Sequence, residues 1–284
     1  MTSRIAVVAD SSCDLPAQLR ERHSIHIVPL IVRFGEEVYN DGELSGDAFW
    51  KLAESRGVQP KTSQPPVGQF EEVFSSLVSQ GCHVLCLVVT SKHSGTYNSA
   101  YAAAQSFPGH VTVFDSGAFS LCHGYQAIVA ARAAAEGRTL QDILALLEGI
   151  RSRTRIFMCL DTIEYLRRGG RADQVIPAVE KVMRVLHIKP LLDLREGQLQ
   201  LLGAARSYEK ALERLRQETA QHAPPEMLFA LHTHRGDAIV EFAHQLAGRL
   251  GFPAEKVMVG EVGAVLSCHA GPGATAAAIV RAAT

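Results

Sequence analysis

The sequence predicts an α/β protein of two domains. Residues 1–152 form an N-terminal, Rossmann-like domain with a parallel sheet, and residues 153–284 form a C-terminal α/β domain with a mixed or antiparallel sheet. Three observations predict this. The length of 284 residues is about twice the roughly 150 residues of a typical domain. In the first half, short unbroken Val/Ile/Leu runs alternate with segments of helical period, which is how strands covered by helices on both faces read. In the second half, two strand-like runs are separated only by Arg195-Glu196-Gly197, a hairpin turn containing Gly, so at least part of that sheet is antiparallel.

Arg4–Ala9 reads as the first strand and is followed by a helix near Leu15–Glu21. His26–Phe34 is the second strand, with a helix near Asp47–Ser55. Lys61-Thr62-Ser63-Gln64-Pro65-Pro66 is a stretch stiffened by two prolines before a helix that begins near Val67. Val84–Val89, a helix from Thr96, Val111–Phe114 and a helix near Phe119–Glu136 continue the alternation. The helix Thr139–Arg151 carries a Thr139/Asp142 capping box and an apolar stripe at Ile143, Leu146, Leu147 and Ile150, and it closes the first domain. Beyond it, Ile156–Leu160, Ile188–Leu194, Gln198–Leu202, Met227–Thr233 and Val257–Val262 are strand-like. Helices near Gln174–Leu186, Tyr208–Gln221 and Asp237–Leu250 cover them, the last stopped by Gly251 and Pro253. Cys268-His269-Ala270-Gly271-Pro272-Gly273-Ala274 is expected to open a final helix, with Pro272 in its first turn.

Composition excludes several classes. Lys and Arg number 28 against 29 Asp and Glu, a net charge of −1, which argues against a nucleic-acid binder driven by bulk charge. Hydrophobic residues make up 47%, too many for a disordered chain, yet no run approaches the roughly 18 apolar residues of a membrane span. The start, with one Arg and then five apolar residues before Asp10, is too short for a signal-peptide core, so a cytoplasmic protein is expected. The six cysteines are scattered without a Cys-x-x-Cys pair, as suits a reducing compartment. Cys82 and Cys86 sit in a strand-like run about 13 Å apart, too far for one zinc, and read as buried thiols. His232 and His234 share a strand face with no evident third ligand, which favours a surface or core role.

Chemistry concentrates at junctions rich in small hydroxyl residues and Gly. Asp10-Ser11-Ser12-Cys13-Asp14 follows a strand and opens a helix, and N-capping explains it, because two carboxylates would repel an anionic ligand. Thr62, Ser63 and Gln64 offer two hydroxyls and an amide at positions made rigid by proline. Ser91, Ser94 and Thr96, around Gly95, supply three hydroxyls where capping needs one, and free N–H groups at a helix start suit a carboxylate or phosphate. Gly271-Pro272-Gly273-Ala274-Thr275-Ala276 formally matches a dinucleotide-binding pattern, but the second strand and the acid some 20 residues on are missing. No nucleophile elbow, ATP phosphate loop or zinc-protease motif is present.

Together these motifs resemble the DegV family of bacterial fatty-acid-binding proteins. The resemblance is carried by Asp-Ser-Ser-Cys-Asp-Leu at 10–15, Asp41-Gly42, Thr-Ser-Gln-Pro at 62–65, Ser-Gly-Thr-Tyr-Asn-Ser-Ala at 94–100 and Asp115-Ser116. Tyr-Leu-Arg-Arg-Gly-Gly-Arg at 165–171, Ile-Lys-Pro-Leu-Leu at 188–192 and His-Ala-Gly-Pro-Gly-Ala at 269–274 complete it. Two departures stand out: Pro66 replaces the family's second serine, and His93 replaces the usual apolar residue before Ser-Gly-Thr.

The resemblance implies one long-chain fatty acid held between the two domains, with no other cofactor. Its carboxylate would lie on Thr62, Ser63, Ser94, Gly95, Thr96, His269 and Gly271. It further implies that the protein is not itself an enzyme. It would present the bound acid to a separate ATP-dependent fatty-acid kinase that forms acyl phosphate, with Arg171 and Arg206 at the docking surface. A transient contact with a membrane surface is compatible with this role. The competing readings are a stand-alone hydrolase or phosphotransferase using Ser94 or Ser63 with His269, and a lipid-bound sensor or interaction protein. The lack of an obvious acid to orient His269 counts against the enzyme.

Overall fold

The computed structural model describes residues 4–57, 59–170, 173–183 and 188–283, without the side chains of residues 182 and 183. In chain order the first half comprises β1 (Arg4–Asp10), α1 (Ala17–Arg22), β2 (His26–Val28), β3 (Ile31–Phe34), β4 (Glu37–Asn40) and α2 (Gly46–Arg56). It continues with β5 (Lys61–Ser63), α3 (Val67–Ser79), β6 (Cys82–Val88), α4 (Thr96–Ala104), β7 (Val111–Asp115), α5 (Ser120–Ala135) and α6 (Leu140–Arg153). The second half comprises β8 (Thr154–Cys159), α7 (Glu164–Gly169), α8 (Ile176–Met183), β9 (Lys189–Arg195), β10 (Gln198–Ala205) and α9 (Tyr208–Ala220). After these come β11 (Pro225–His232), α10 (Gly236–Leu250), β12 (Met258–Glu261), α11 (Ala264–Ala270) and β13 (Thr275–Arg281). Among the described residues no helix is long and apolar enough to cross a membrane.

The first sheet is parallel throughout, in the order β2-β1-β6-β7. Its central strands β1 and β6 are buried on both faces, which explains their unbroken apolar runs. Val8, Val84, Cys86 and Val88 face α3 and α4. Val7, Ala9, Leu85 and Leu87 face α5. Cys82 and Cys86 are therefore interior strand residues, as the sequence implies.

The second sheet is mixed, in the order β10-β9-β8-β13-β11-β12, antiparallel except where β11 meets β12. The β9–β10 hairpin turns with Glu196 and Gly197 both at positive φ (51° and 78°), the backbone that a tight two-stranded turn requires. One face of this sheet, through Ile156, Met158, Phe229 and Leu231, joins α5 and α6 in the same apolar cluster that covers the parallel sheet. The other face packs on α9 and α10. The layers thus run α3/α4, parallel sheet, α5/α6, mixed sheet, α9/α10. The capping box of Thr139 and Asp142 starts α6 as expected.

Three expectations need correction. His26–Phe34 is not one strand: β2 belongs to the parallel sheet, while β3 leaves it for a third, antiparallel sheet ordered β4-β3-β5. Pro29 has no N–H to give a ladder, and the Leu30 N–H goes to Ser11 Oγ at 3.0 Å instead of to a strand. Lys61–Ser63, read as a stiffened loop, is the third strand of that small sheet, with Thr62 opposite Val32. Finally, residues 268–274 close a helix and do not open one. α11 ends at Ala270, Gly271 (φ 72°) terminates it, and Thr275–Arg281 is strand β13 between β8 and β11. Pro272 suits a first helical turn and alanine favours helix, but the small alanine side chains let helical layers approach both faces of a central strand, and that packing overrides propensity. The described part of the helix expected over Gln174–Leu186 is α8.

Candidate functional site

A cavity enclosing about 1070 Å³, its open mouth included, lies where the three sheets converge. Its wall is largely apolar, with Leu160, Leu192, Leu199, Leu231, Val262 and Val265 among the lining residues. Thr62, Ser63, Gln64, Ser94 and His269 are among its polar lining residues, with Ser12, Thr90, His93, His232, Thr233 and Thr275 elsewhere on the wall. Deep apolar walls with a few convergent polar groups are the usual form of a site for an amphipathic small molecule.

Thr62, Ser63, Gln64, Ser94 and His269 come from three different parts of the fold. The edge strand β5 carries Thr62 and Ser63, anchored through its pairing with β3, whose Val32 is buried. His269 sits in the last turn of α11, a helix seated in the apolar cluster of the small sheet through Ala264, Val265 and Cys268. These elements bring Thr62 Oγ1 and His269 Nε2 to 2.9 Å across 207 residues of sequence. Cys268, beside His269, is buried, and burial pushes its thiol up, away from nucleophilic thiolate character.

Ser94 lines the cavity in the loop between β6 and α4. Its hydroxyl meets Thr96 Oγ1 at 2.8 Å and accepts the Thr96 N–H at 3.2 Å. Thr96 is fully buried and stands behind the wall, fixing Ser94. Gly95 lies against the Gln64 side chain, which would be 2.8 Å from a Cβ there. Of the residues expected at the head group, Thr62, Ser63, Ser94 and His269 line the cavity, while Gly95, Thr96 and Gly271 support it from outside.

Two tying contacts were not read from the sequence. His93 Nε2 accepts the Leu199 N–H at 3.2 Å, joining the Ser94 loop to β10. Thr90 Oγ1 donates to the Gly197 carbonyl at 3.0 Å, pinning the β9–β10 turn to the end of β6. Gln64, whose amide the sequence sets beside the Thr62 and Ser63 hydroxyls, is a lining residue as well. The substitution of His for an apolar residue at 93 was the one visible signal of the first contact.

The N-cap expected of Ser12 or Asp14 is not formed: α1 starts after Pro16 with no side-chain cap, because Asp10 instead caps the short turn over Ser11–Cys13 and Asp14 ends that turn in the left-handed region. Asp10 is fully buried, and its carboxylate accepts the Ser12 N–H (3.0 Å) and hydroxyl and the Val89 N–H (2.6 Å). Ser11 Oγ donates to Asp41 Oδ2 at 2.7 Å, and Asp41 Oδ1 accepts the Val265 N–H at 3.3 Å near the start of α11. Burial pushes the Asp14 carboxyl well above the usual carboxylate range, and the neighbouring Asp41 adds to the effect. Burial also raises Asp41. A second cavity, beyond the Val262–Val265 connection, is lined in part by Asp14, Asp41, Arg20 and Glu261.

A serine hydrolase needs its serine on a histidine. Neither Ser94 nor Ser63 bonds one among the described residues, and the hydroxyl on His269 Nε2 is that of Thr62. Of the expected docking residues, Arg206 is exposed between β10 and α9, and Arg171 lies outside the described residues. Arg167 and Arg168 both reach Glu164 on the exposed face of α7, at 2.8 and 3.6 Å.

Comparison with known proteins gives a consistent picture. Residues 4–282 match the family model described as "Uncharacterised protein, DegV family". A DegV domain-containing protein of Streptomyces coelicolor is 33% identical over 96% of this chain and 97% of its own. A solved Thermus thermophilus structure, described as fatty acid binding of a DegV family protein, is 35% identical with a TM-score of 0.88, covering 98% of this chain and 99% of that one. DegV of Bacillus subtilis, described as a fatty acid binding protein, is 28% identical with a TM-score of 0.85, covering 98% and 99% of the two chains.

Proposed function

This chain belongs to the DegV family, and from that premise we propose that it binds one long-chain fatty acid between an N-terminal domain of residues 1–152 and a C-terminal domain of residues 153–284. The carboxylate lies on Thr62, Ser63, Ser94 and His269, supported by Gly95, Thr96 and Gly271. The observation that carries this reading is an apolar cavity with Thr62 and His269 already paired among its polar groups. Burying some 15 methylenes at ~0.8 kcal/mol each gives a gross ~12 kcal/mol, from which association and ordering costs subtract. The tail supplies affinity and the head group supplies orientation.

We further propose that the protein is a binding subunit and not an enzyme, acting in the cytoplasm and using the bound acid as its only small-molecule ligand. It presents the carboxylate to a separate ATP-dependent fatty-acid kinase, which docks near Arg171 and Arg206 and forms acyl phosphate. The lack of a phosphate loop in the sequence supports this division of labour. Native mass spectrometry of protein purified from bacteria, followed by lipid extraction, tests the first part, with one acyl species per chain expected. ATP, fatty acid and protein incubated with and without a kinase partner test the second. Acyl phosphate formed without the partner would restore the enzyme reading.

A further inference from the structure

Helix α7 ends in two glycines that do different work. Gly170 (φ 62°) takes the left-handed turn that stops the helix. Gly169 is still helical, so it has no use for glycine's conformational freedom, and alanine would be the better helix former there. What the position lacks is room: a Cβ on Gly169 would lie 2.3 Å from Nδ1 and 3.1 Å from Cε1 of His269. Four residues earlier, on the same face of α7, Tyr165 covers Gly271, where a Cβ would lie 2.9 Å from the tyrosine ring. The two elements therefore interlock, the ring of each opposite the glycine of the other. The Tyr165 ring is held in turn by Trp50, 6.1 Å between centroids.

We propose that Gly169 is a positioning residue for carboxylate recognition: its missing side chain seats the His269 ring so that Nε2 meets Thr62 Oγ1. The imidazole is rigid, with the Thr62 hydroxyl at one nitrogen and the space left by the absent Gly169 side chain at the other. A methyl group at 169 moves the ring, and with it the nitrogen facing Thr62. This inference rests on the fatty-acid reading above, and it assigns the Gly-Gly of the 165–171 motif to the ligand site, apart from any docking role of the flanking arginines.

The test is Gly169→Ala, with Gly149→Ala as a matched control, since Gly149 is also helical and a Cβ there meets nothing within 4 Å. Affinity is measured for a long-chain fatty acid and for the alcohol of the same chain length. Gly169→Ala should fold and bind the acid roughly tenfold more weakly, the scale of one hydrogen bond to a charged group, while the alcohol stays within about twofold. Gly149→Ala should leave both affinities unchanged. In a His269→Ala background, Gly169→Ala should have no further effect on the acid. The inference is overturned if Gly169→Ala keeps its preference for the acid, loses acid and alcohol equally, or multiplies the loss caused by His269→Ala. Wild-type protein that binds neither ligand overturns the fatty-acid reading along with it, whereas a wild-type preference that survives Gly169→Ala overturns this inference alone.

Discussion

Asp14 and Ser120, 106 residues apart, meet in a 2.6 Å hydrogen bond with both backbones in the left-handed region, at φ 49° and 53°. Asp14 is pushed up first by burial and then by Asp41. The folded state therefore holds this proton more tightly than the unfolded chain, whose ordinary value is 3.8. The group's stabilising contribution is complete below that value and is lost as pH rises through the folded-state value. Asp14→Asn, which suits the same backbone, should remove that loss. Urea unfolding from pH 4 to 8 should show the variant gaining on the wild type as pH increases. A difference that stays constant with pH would mean that the carboxyl does not titrate as a buried acid.

The His93–Leu199 contact ties the Ser94 loop to the second half. His93→Leu removes the acceptor and leaves the Leu199 N–H unsatisfied. The expected cost is about 1–3 kcal/mol, visible as a lower unfolding midpoint, with His93→Gln recovering part of it. Unaltered stability in the leucine variant would show that water replaces the ring without loss.

Ser94→Ala and His269→Ala should each weaken fatty-acid binding by ~1–3 kcal/mol by leaving a polar partner unpaired. Thermal unfolding of ligand-free protein should change less than binding does. Displacement of a fluorescent fatty acid measures the first quantity and calorimetry the second. Full affinity in both variants would place the carboxylate elsewhere.

Arg206 is exposed, and an arginine grips a carboxylate bidentately, as suits a weak orienting interface. Arg206→Glu and Arg171→Glu should each abolish kinase-dependent acyl-phosphate formation while fatty-acid binding persists. Normal turnover by both variants would move the docking face to the first domain.

The parallel sheet was legible because strands buried on both faces announce themselves as runs such as Cys82–Val88. The β9–β10 hairpin was legible from its glycine turn. The third sheet was not, because β3 and β5 are only four and three residues long and pair at a distance that no local pattern encodes. The helix carrying His269 was placed on the wrong side of Gly271, since an alanine-rich strand and a helix share composition and only tertiary packing separates them. Thr62 and His269 come to one head group in the sequence only through the family resemblance, and their direct hydrogen bond was not legible there. The role of Gly169 lay beyond sequence reasoning, because it consists of space that another residue fills.

Strand β13, the last in chain order, lies in the interior of the mixed sheet, with Ala277 between Phe157 of β8 and Ala230 of β11. During synthesis the parallel sheet can form early, but the second sheet has a gap at its middle until residues 275–281 have left the ribosome. Until then β8 and β11 present unpaired edges to the cell. The nascent second half is therefore the part of this protein that most needs chaperone cover, and trimming the chain into β13 would split that sheet instead of merely shortening it.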